Sequence, residues 1–127
     1  MTFLIQGNSL MHEMTYIVPI CNTAIDQAKK NKAKSITALH IEIGEMTAVI
    51  PSIFRSYFGE ASKNTILENS ELKLKMIPVK ANCLKCSHTF KPEKKNDYRC
   101  PNCRSKQSKI IEGREVILKS IEIEESS

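Results

Sequence analysis

Two Cys-x-x-Cys pairs, Cys83-Leu84-Lys85-Cys86 and Cys100-Pro101-Asn102-Cys103, are separated by 13 residues, and no other feature constrains the fold of this chain as tightly. Two tight turns at that separation bring four sulfurs around one ion, the ligand set of a structural Zn²⁺ site. Zn²⁺ accepts tetrahedral sulfur because its filled d shell imposes no other geometry, and iron is the other metal suited to such a cage. Two disulfides would need an oxidising compartment and a secretory signal, which the first ten residues do not resemble. A thioredoxin-type redox pair would need only one Cys-x-x-Cys, at a helix start. Between Cys86 and Cys100 the sizeable apolar side chains are Phe90 and Tyr98. Metal binding, worth about 10–16 kcal/mol in zinc-finger peptides, must therefore supply most of the folding free energy of this segment.

At 127 residues and 41% hydrophobic content, the chain can bury one modest core beside a metal-stapled lobe. No apolar run is long enough to cross a bilayer, so a cytoplasmic protein with no membrane partner is expected. The formal net charge of +5 is concentrated: residues 80–109 hold nine Lys/Arg against two Asp/Glu. Such a lobe could touch nucleic acid or an acidic protein face, or its charge could simply keep it soluble.

Apolar positions Met14, Ile17, Val18, Cys21, Ala24, Ile25 and Ala28 repeat at threes and fours and predict one face of a helix. Pro19 is tolerated if that helix begins near Thr15 or Tyr16, which would leave His12 and Glu13 at or just before its entrance. Residues 35–42 alternate as a strand, with Leu39, Ile41 and Ile43 on one side and Ala38, His40 and Glu42 on the other. Gly44 ends it and Glu45 lies in the following turn. Pro51 opens a second helix to about Ser62, burying Ile53, Phe54, Tyr57, Phe58 and Ala61. Residues 71–77 form a second strand with Leu72, Leu74 and Met76 inward, and Arg114 to Glu124 a third, whose pattern slips around Leu118-Lys119-Ser120. The expected fold is α+β: two helices packed on a three-stranded sheet, with an inserted Cys₄ zinc-ribbon lobe. Its divisions are a leader at 1–10, an α/β domain over 11–79 and 110–127, and a zinc-binding insertion at 80–109.

Catalysis finds little support. His12-Glu13 opens like the His-Glu-x-x-His helix of zinc peptidases, but Tyr16 occupies the place of the second histidine. The glycines form no phosphate loop. On their own residues, His12 and Glu13 suit a solvated helix start, His40 a polar strand face, and Cys21 a small buried hydrophobe. His88, two residues beyond Cys86, suits a surface imidazole, a replacement for a thiolate at the metal, or a hydrogen-bond donor just behind the zinc ligands.

Several motifs occur together: Met11-His12-Glu13-Met14 before a helix, Ile41-Glu42-Ile43-Gly44-Glu45 closing a strand, the two Cys-x-x-Cys pairs, and Gly113-Arg114-Glu115 followed by Lys119-Ser120-Ile121-Glu122. In this order and spacing the chain resembles the HypA/HybF family of hydrogenase-maturation nickel metallochaperones from Met11 to about Glu124. The resemblance implies a non-enzymatic cytoplasmic protein that delivers Ni²⁺, its cargo, to the large subunit of [NiFe]-hydrogenase. It also implies the accessory GTPase HypB as partner and, in some bacteria, urease accessory proteins. Carried over by motif, His12 and Glu13 bind nickel, while Cys83, Cys86, Cys100 and Cys103 hold structural zinc. In the family the Met of Met-His-Glu is normally the first residue and its amine also ligates nickel; here ten residues precede Met11. The resemblance points to Met11 as the start. A basic zinc-ribbon nucleic-acid binder is the alternative, but with only Phe90 and Tyr98 to stack on bases, nucleic acid is not the expected partner.

Overall fold

In a computed structural model, the structure describes the backbone of residues 2–125 and the side chains of residues 13–125. Helix α1 (Thr2–Lys30) is followed by β1 (Ala33–Gly44), α2 (Pro51–Ser62), β2 (Glu71–Ile77), β3 (Lys80–Cys83), β4 (Thr89–Phe90), β5 (Ser108–Glu112) and β6 (Val116–Glu125). The strands form two three-stranded sheets, ordered β2-β1-β6 and β4-β3-β5. Two compact units result: residues 1–42, 49–75 and 117–127 form the larger, and residues 43–48 and 76–116 the smaller. The smaller unit thus takes in more chain than the 80–109 insertion, adding the turn after β1 and the flanking residues 76–79 and 110–116. The architecture is the expected one, two helices and a three-stranded sheet with a cysteine-bearing lobe, and the lobe carries a small sheet of its own.

The larger unit is built on two helical faces and one sheet face. Ile17, Ile20, Cys21, Ala24 and Ala28 of α1 are buried with Phe54 and Phe58 of α2, and Ile36, Leu39 and Ile41 of β1 complete the core. Helix α2 begins as its sequence demands: Ile50 is extended, Pro51 occupies the first turn, and the Phe54 amide donates to the Ile50 carbonyl at 2.9 Å.

Helix α1 departs from expectation in two ways. It starts at Thr2 and runs through Pro19, where the sequence alone predicts an entrance near Thr15 or Tyr16. An interior proline costs roughly 3 kcal/mol, and burial of the Ile17/Cys21/Ala24/Ala28 stripe on both sides of it offsets that cost. The buried face is also rotated. Val18 is 47% exposed, while Ile20 is buried and Glu13 is only 3% exposed. At 100° per residue, Glu13 and Ile20 flank the stripe on the side opposite Val18, so Glu13 lies within the helix facing inward and not at a solvated entrance.

Two strand expectations also change. Ala38 is buried together with Leu39, so the side of β1 expected to be polar is not solvated at Ala38. The third strand starts two residues later than expected and runs from Val116 to Glu125, and Ser108–Glu112, not expected as a strand, pairs in the lobe. Within β6 the half-buried positions are Val116, Leu118, Ile121 and Ile123, and the change of parity between 118 and 121 is the slip expected around Lys119-Ser120. In the lobe, β3 pairs antiparallel with both neighbours, aligning Ala81 with Phe90 and Ile110. That register gives the lobe its core of Ala81, Cys83, Phe90 and Cys100, with Ile110 packed against it.

Candidate metal centre

Each Cys-x-x-Cys pair sits in a turn of the same construction. In the first, the Cys83 amide donates to the His88 carbonyl at 2.9 Å and the Ser87 amide to the Cys83 carbonyl at 3.0 Å. In the second, the Cys100 amide donates to the Ser105 carbonyl at 3.1 Å and the Arg104 amide to the Cys100 carbonyl at 2.8 Å. Ser87 and Arg104 close the turns with left-handed φ of 64° and 67°. Each turn therefore repeats the other seventeen residues later, and both direct their sulfurs to one point.

The four ligand atoms lie within 4.8 Å of one another. Cys83 Sγ is 3.5 Å from Cys103 Sγ, and Cys86 Sγ is 3.6 Å from Cys100 Sγ. These separations are far beyond an S–S bond of about 2.05 Å, and all five cysteines are free. Four sulfurs about 2.3 Å from a central ion stand about 3.8 Å apart at the corners of a tetrahedron. The cage therefore fits one four-coordinate thiophilic ion.

Amides and an amide side chain are already turned toward the sulfurs. Cys83 Sγ accepts from the Lys85 and Cys86 amides at 3.4 and 3.5 Å, and Cys86 Sγ accepts from Asn102 Nδ2 at 3.4 Å. The Cys86 amide holds the Cys83 thiol below its ordinary range. Asn102, helped by the His88 amide, lowers that of Cys86 to about 6. At Cys103 the Ser105 amide favours the thiolate, but contact with Cys83, desolvation and the other two sulfurs outweigh it and push the thiol up to about 11. Four sulfurs this close cannot all ionise without a cation between them, and ligation by a metal removes the thiol protons. Asn102 was not singled out in the sequence; its place as the second spacer of a Cys-x-x-Cys pair was the available signal.

His88 is exposed. Its ring stacks parallel to Phe90 with centroids 6.4 Å apart, while its backbone groups, not its imidazole, serve the first turn. The cluster of ligand atoms comprises the four sulfurs without it.

Of the amino-terminal pair, the side chain of His12 lies outside the described residues. The Glu13 side chain is buried, and its Oε2 has no hydrogen-bond partner among the described residues. No helix among the described residues is long and apolar enough to cross a membrane.

Residues 11–123 match a family model described as hydrogenase/urease nickel incorporation, metallochaperone, hypA. The chain is 31% identical over 117 residues to hydrogenase maturation factor HypA of Dehalococcoides mccartyi strain CBDB1, covering 92% of this chain and 98% of that protein. It is 32% identical over 114 residues to its counterpart in Aquifex aeolicus, covering 90% and 98%. Among solved structures, the solution structure of the Ni metallochaperone HypA from Helicobacter pylori superposes with a TM-score of 0.66 at 30% identity, over 87% of this chain and 95% of that one. A second HypA solution structure gives 0.72 at 32% identity, over 89% and 96%. A match across nearly the whole chain, joined to the same fold and a four-sulfur metal cage, makes this protein a member of the HypA family of hydrogenase maturation factors.

Proposed function

We propose that this chain is a nickel metallochaperone that captures Ni²⁺ at His12 and Glu13 and delivers it for maturation of [NiFe]-hydrogenase, with Zn²⁺ held permanently by Cys83, Cys86, Cys100 and Cys103. The observation that carries the nickel site is Glu13. A buried polar atom without a partner costs roughly 1–3 kcal/mol, more when charged, and among the described residues Glu13 Oε2 is in that position, next to His12 in the chain. A cation taken up there would neutralise the carboxylate. Imidazole nitrogen suits Ni²⁺, and a site with few protein ligands releases its metal more readily than a closed cage. The sulfur cage is the opposite case, because four thiolates with amide support leave no open position for exchange.

Its partners under this reading are the accessory GTPase HypB and the hydrogenase large subunit in the cytoplasm, with urease accessory proteins as a second route for the metal. The role is transfer, not catalysis. His12→Ala should abolish nickel uptake in competition with a mild chelator while the bound zinc and the helical circular dichroism stay unchanged. Parallel loss of both metals would overturn the two-site reading.

A further inference from the structure

The smaller unit carries an apolar concavity of 440 Å³ lined by Met46, Val79, Pro92, Tyr98 and Ile110, with Glu45 and Ser108 as its polar members. Ile110 packs against the lobe's core, so the floor of the concavity is the edge of that core. Its wall is unusually apolar for an exposed surface: Tyr98 is 61% and Met46 53% exposed. Tyrosine and methionine are types enriched where proteins bind one another.

Tyr98 is also held against its backbone preference. Asp97 and Tyr98 take consecutive left-handed conformations, φ 51° and 60°, which non-glycine residues adopt only under constraint. The constraint is visible. The amides of Asp97, Tyr98 and Arg99 donate to the carbonyls of Lys94, Glu93 and Asn96, each at 2.9 Å. A loop tied this firmly holds a large aromatic ring out at the rim of a hollow, although burying the ring would be the ordinary outcome.

Charge identifies the occupant. Residues 43–48 and 76–116 contain ten Lys/Arg and five Asp/Glu. Three of those five carboxylates, Glu45, Glu93 and Glu112, are already in ion pairs with Lys91, Lys95 and Lys80. Subtracting the charge of a metal-filled four-thiolate cage still leaves the unit positive. At the rim, Lys91 reaches Glu45 only at 3.8 Å with both groups about half exposed, a contact weak enough for Lys91 to exchange onto an incoming carboxylate. The geometry points to a docking site for an acidic protein segment that inserts an apolar side chain beside Tyr98 and Met46 while its carboxylates meet the surrounding cations. The site requires the lobe folded around its metal and is independent of nickel at His12 and Glu13.

Three fluorescein-labelled peptides test this by anisotropy on the full-length zinc-loaded chain: one alternating Glu with Leu, one alternating Lys with Leu, and one alternating Glu with Ser. The Glu/Leu peptide should bind saturably and at least tenfold more tightly than the other two, with amide NMR shifts centred on Met46, Val79, Tyr98 and Ile110. Tyr98→Gly removes the ring and suits the left-handed backbone, so it should weaken that binding tenfold or more without lowering the thermal midpoint. Equal affinity for the Lys/Leu peptide, no saturable binding, or binding indifferent to Tyr98→Gly would overturn the proposal. So would tighter binding of a single-stranded oligonucleotide that also depends on Tyr98. Nickel uptake by the same samples is read separately; its failure would remove the carrier reading and leave the docking result standing.

Discussion

Glu122 shows how single residues set the pH response of the larger unit. Its carboxylate accepts from His40 Nε2 at 2.5 Å and from Lys73 Nζ at 3.3 Å. The hydrogen bond from His40, followed by that from Lys73, holds it below its ordinary value of 4.5. A carboxyl lowered in the folded state stabilises the fold above the unfolded value, and that contribution is lost as pH falls through the folded one. The midpoint of thermal unfolding should therefore separate wild type from Glu122→Gln at pH 7, and the gap should close below about pH 4.5. A gap that widened in acid would contradict this pairing. Gly44 is governed by space instead. A Cβ there would collide with the Gly113 carbonyl and lie 2.8 Å from the Arg114 amide nitrogen, and backbone atoms cannot step aside as a flexible side chain can. Gly44→Ala should cost about 1–3 kcal/mol, the usual range for overpacking, measurable in a denaturant titration.

At the scale of elements, α1 bears most directly on the proposed nickel site. Its backbone is helical through Met11, His12 and Glu13, so the amides of these residues belong to the helical ladder. The sequence resemblance implies that a Met in the place of Met11, standing first, would offer a free amine to the proposed nickel site. A form of the protein beginning at Met11 should therefore bind nickel more tightly than the 127-residue chain, by tenfold or more in a competition titration. Equal affinities would mean that the amine contributes nothing and that side chains carry the site. The helix itself was readable from its apolar spacing, but its start and its buried face were not. Pro19 looked like a boundary because its local cost is real, and only the packing of Ile17, Cys21 and Ala24 against the core outweighs it. Glu13 looked solvated because carboxylates are seldom buried, and the rotation of the stripe decided otherwise.

Across the whole molecule, two units rest on different forces. The larger one has a core of its own, with Ile17, Ile36, Leu39, Ile41, Phe54 and Leu67 fully or almost fully buried. Besides Ile43, the smaller buries as a cluster Ala81, Cys83, Phe90 and Cys100, and two of those four belong to the sulfur cage. Removing the metal with a strong chelator should collapse the NMR dispersion of residues 80–112 while helical circular dichroism from α1 and α2 persists, since about 10–16 kcal/mol of folding free energy leaves with the ion. Loss of both signals together would show that the larger unit also depends on the metal.

The amino-acid order by itself determined the metal cage, the α+β class and the slip in β6, because each is written in local spacing: two residues between thiols, threes and fours along a helix, twos along a strand. Tertiary structure alone decided that Glu13 is buried with an oxygen unpartnered among the described residues, that Ala38 is buried beside Leu39, that Arg114 precedes β6 instead of starting it, and that Tyr98 stands at the rim of an apolar hollow. These outcomes depend on which distant segments meet and on the energy of burial there, and no local pattern encodes that sum.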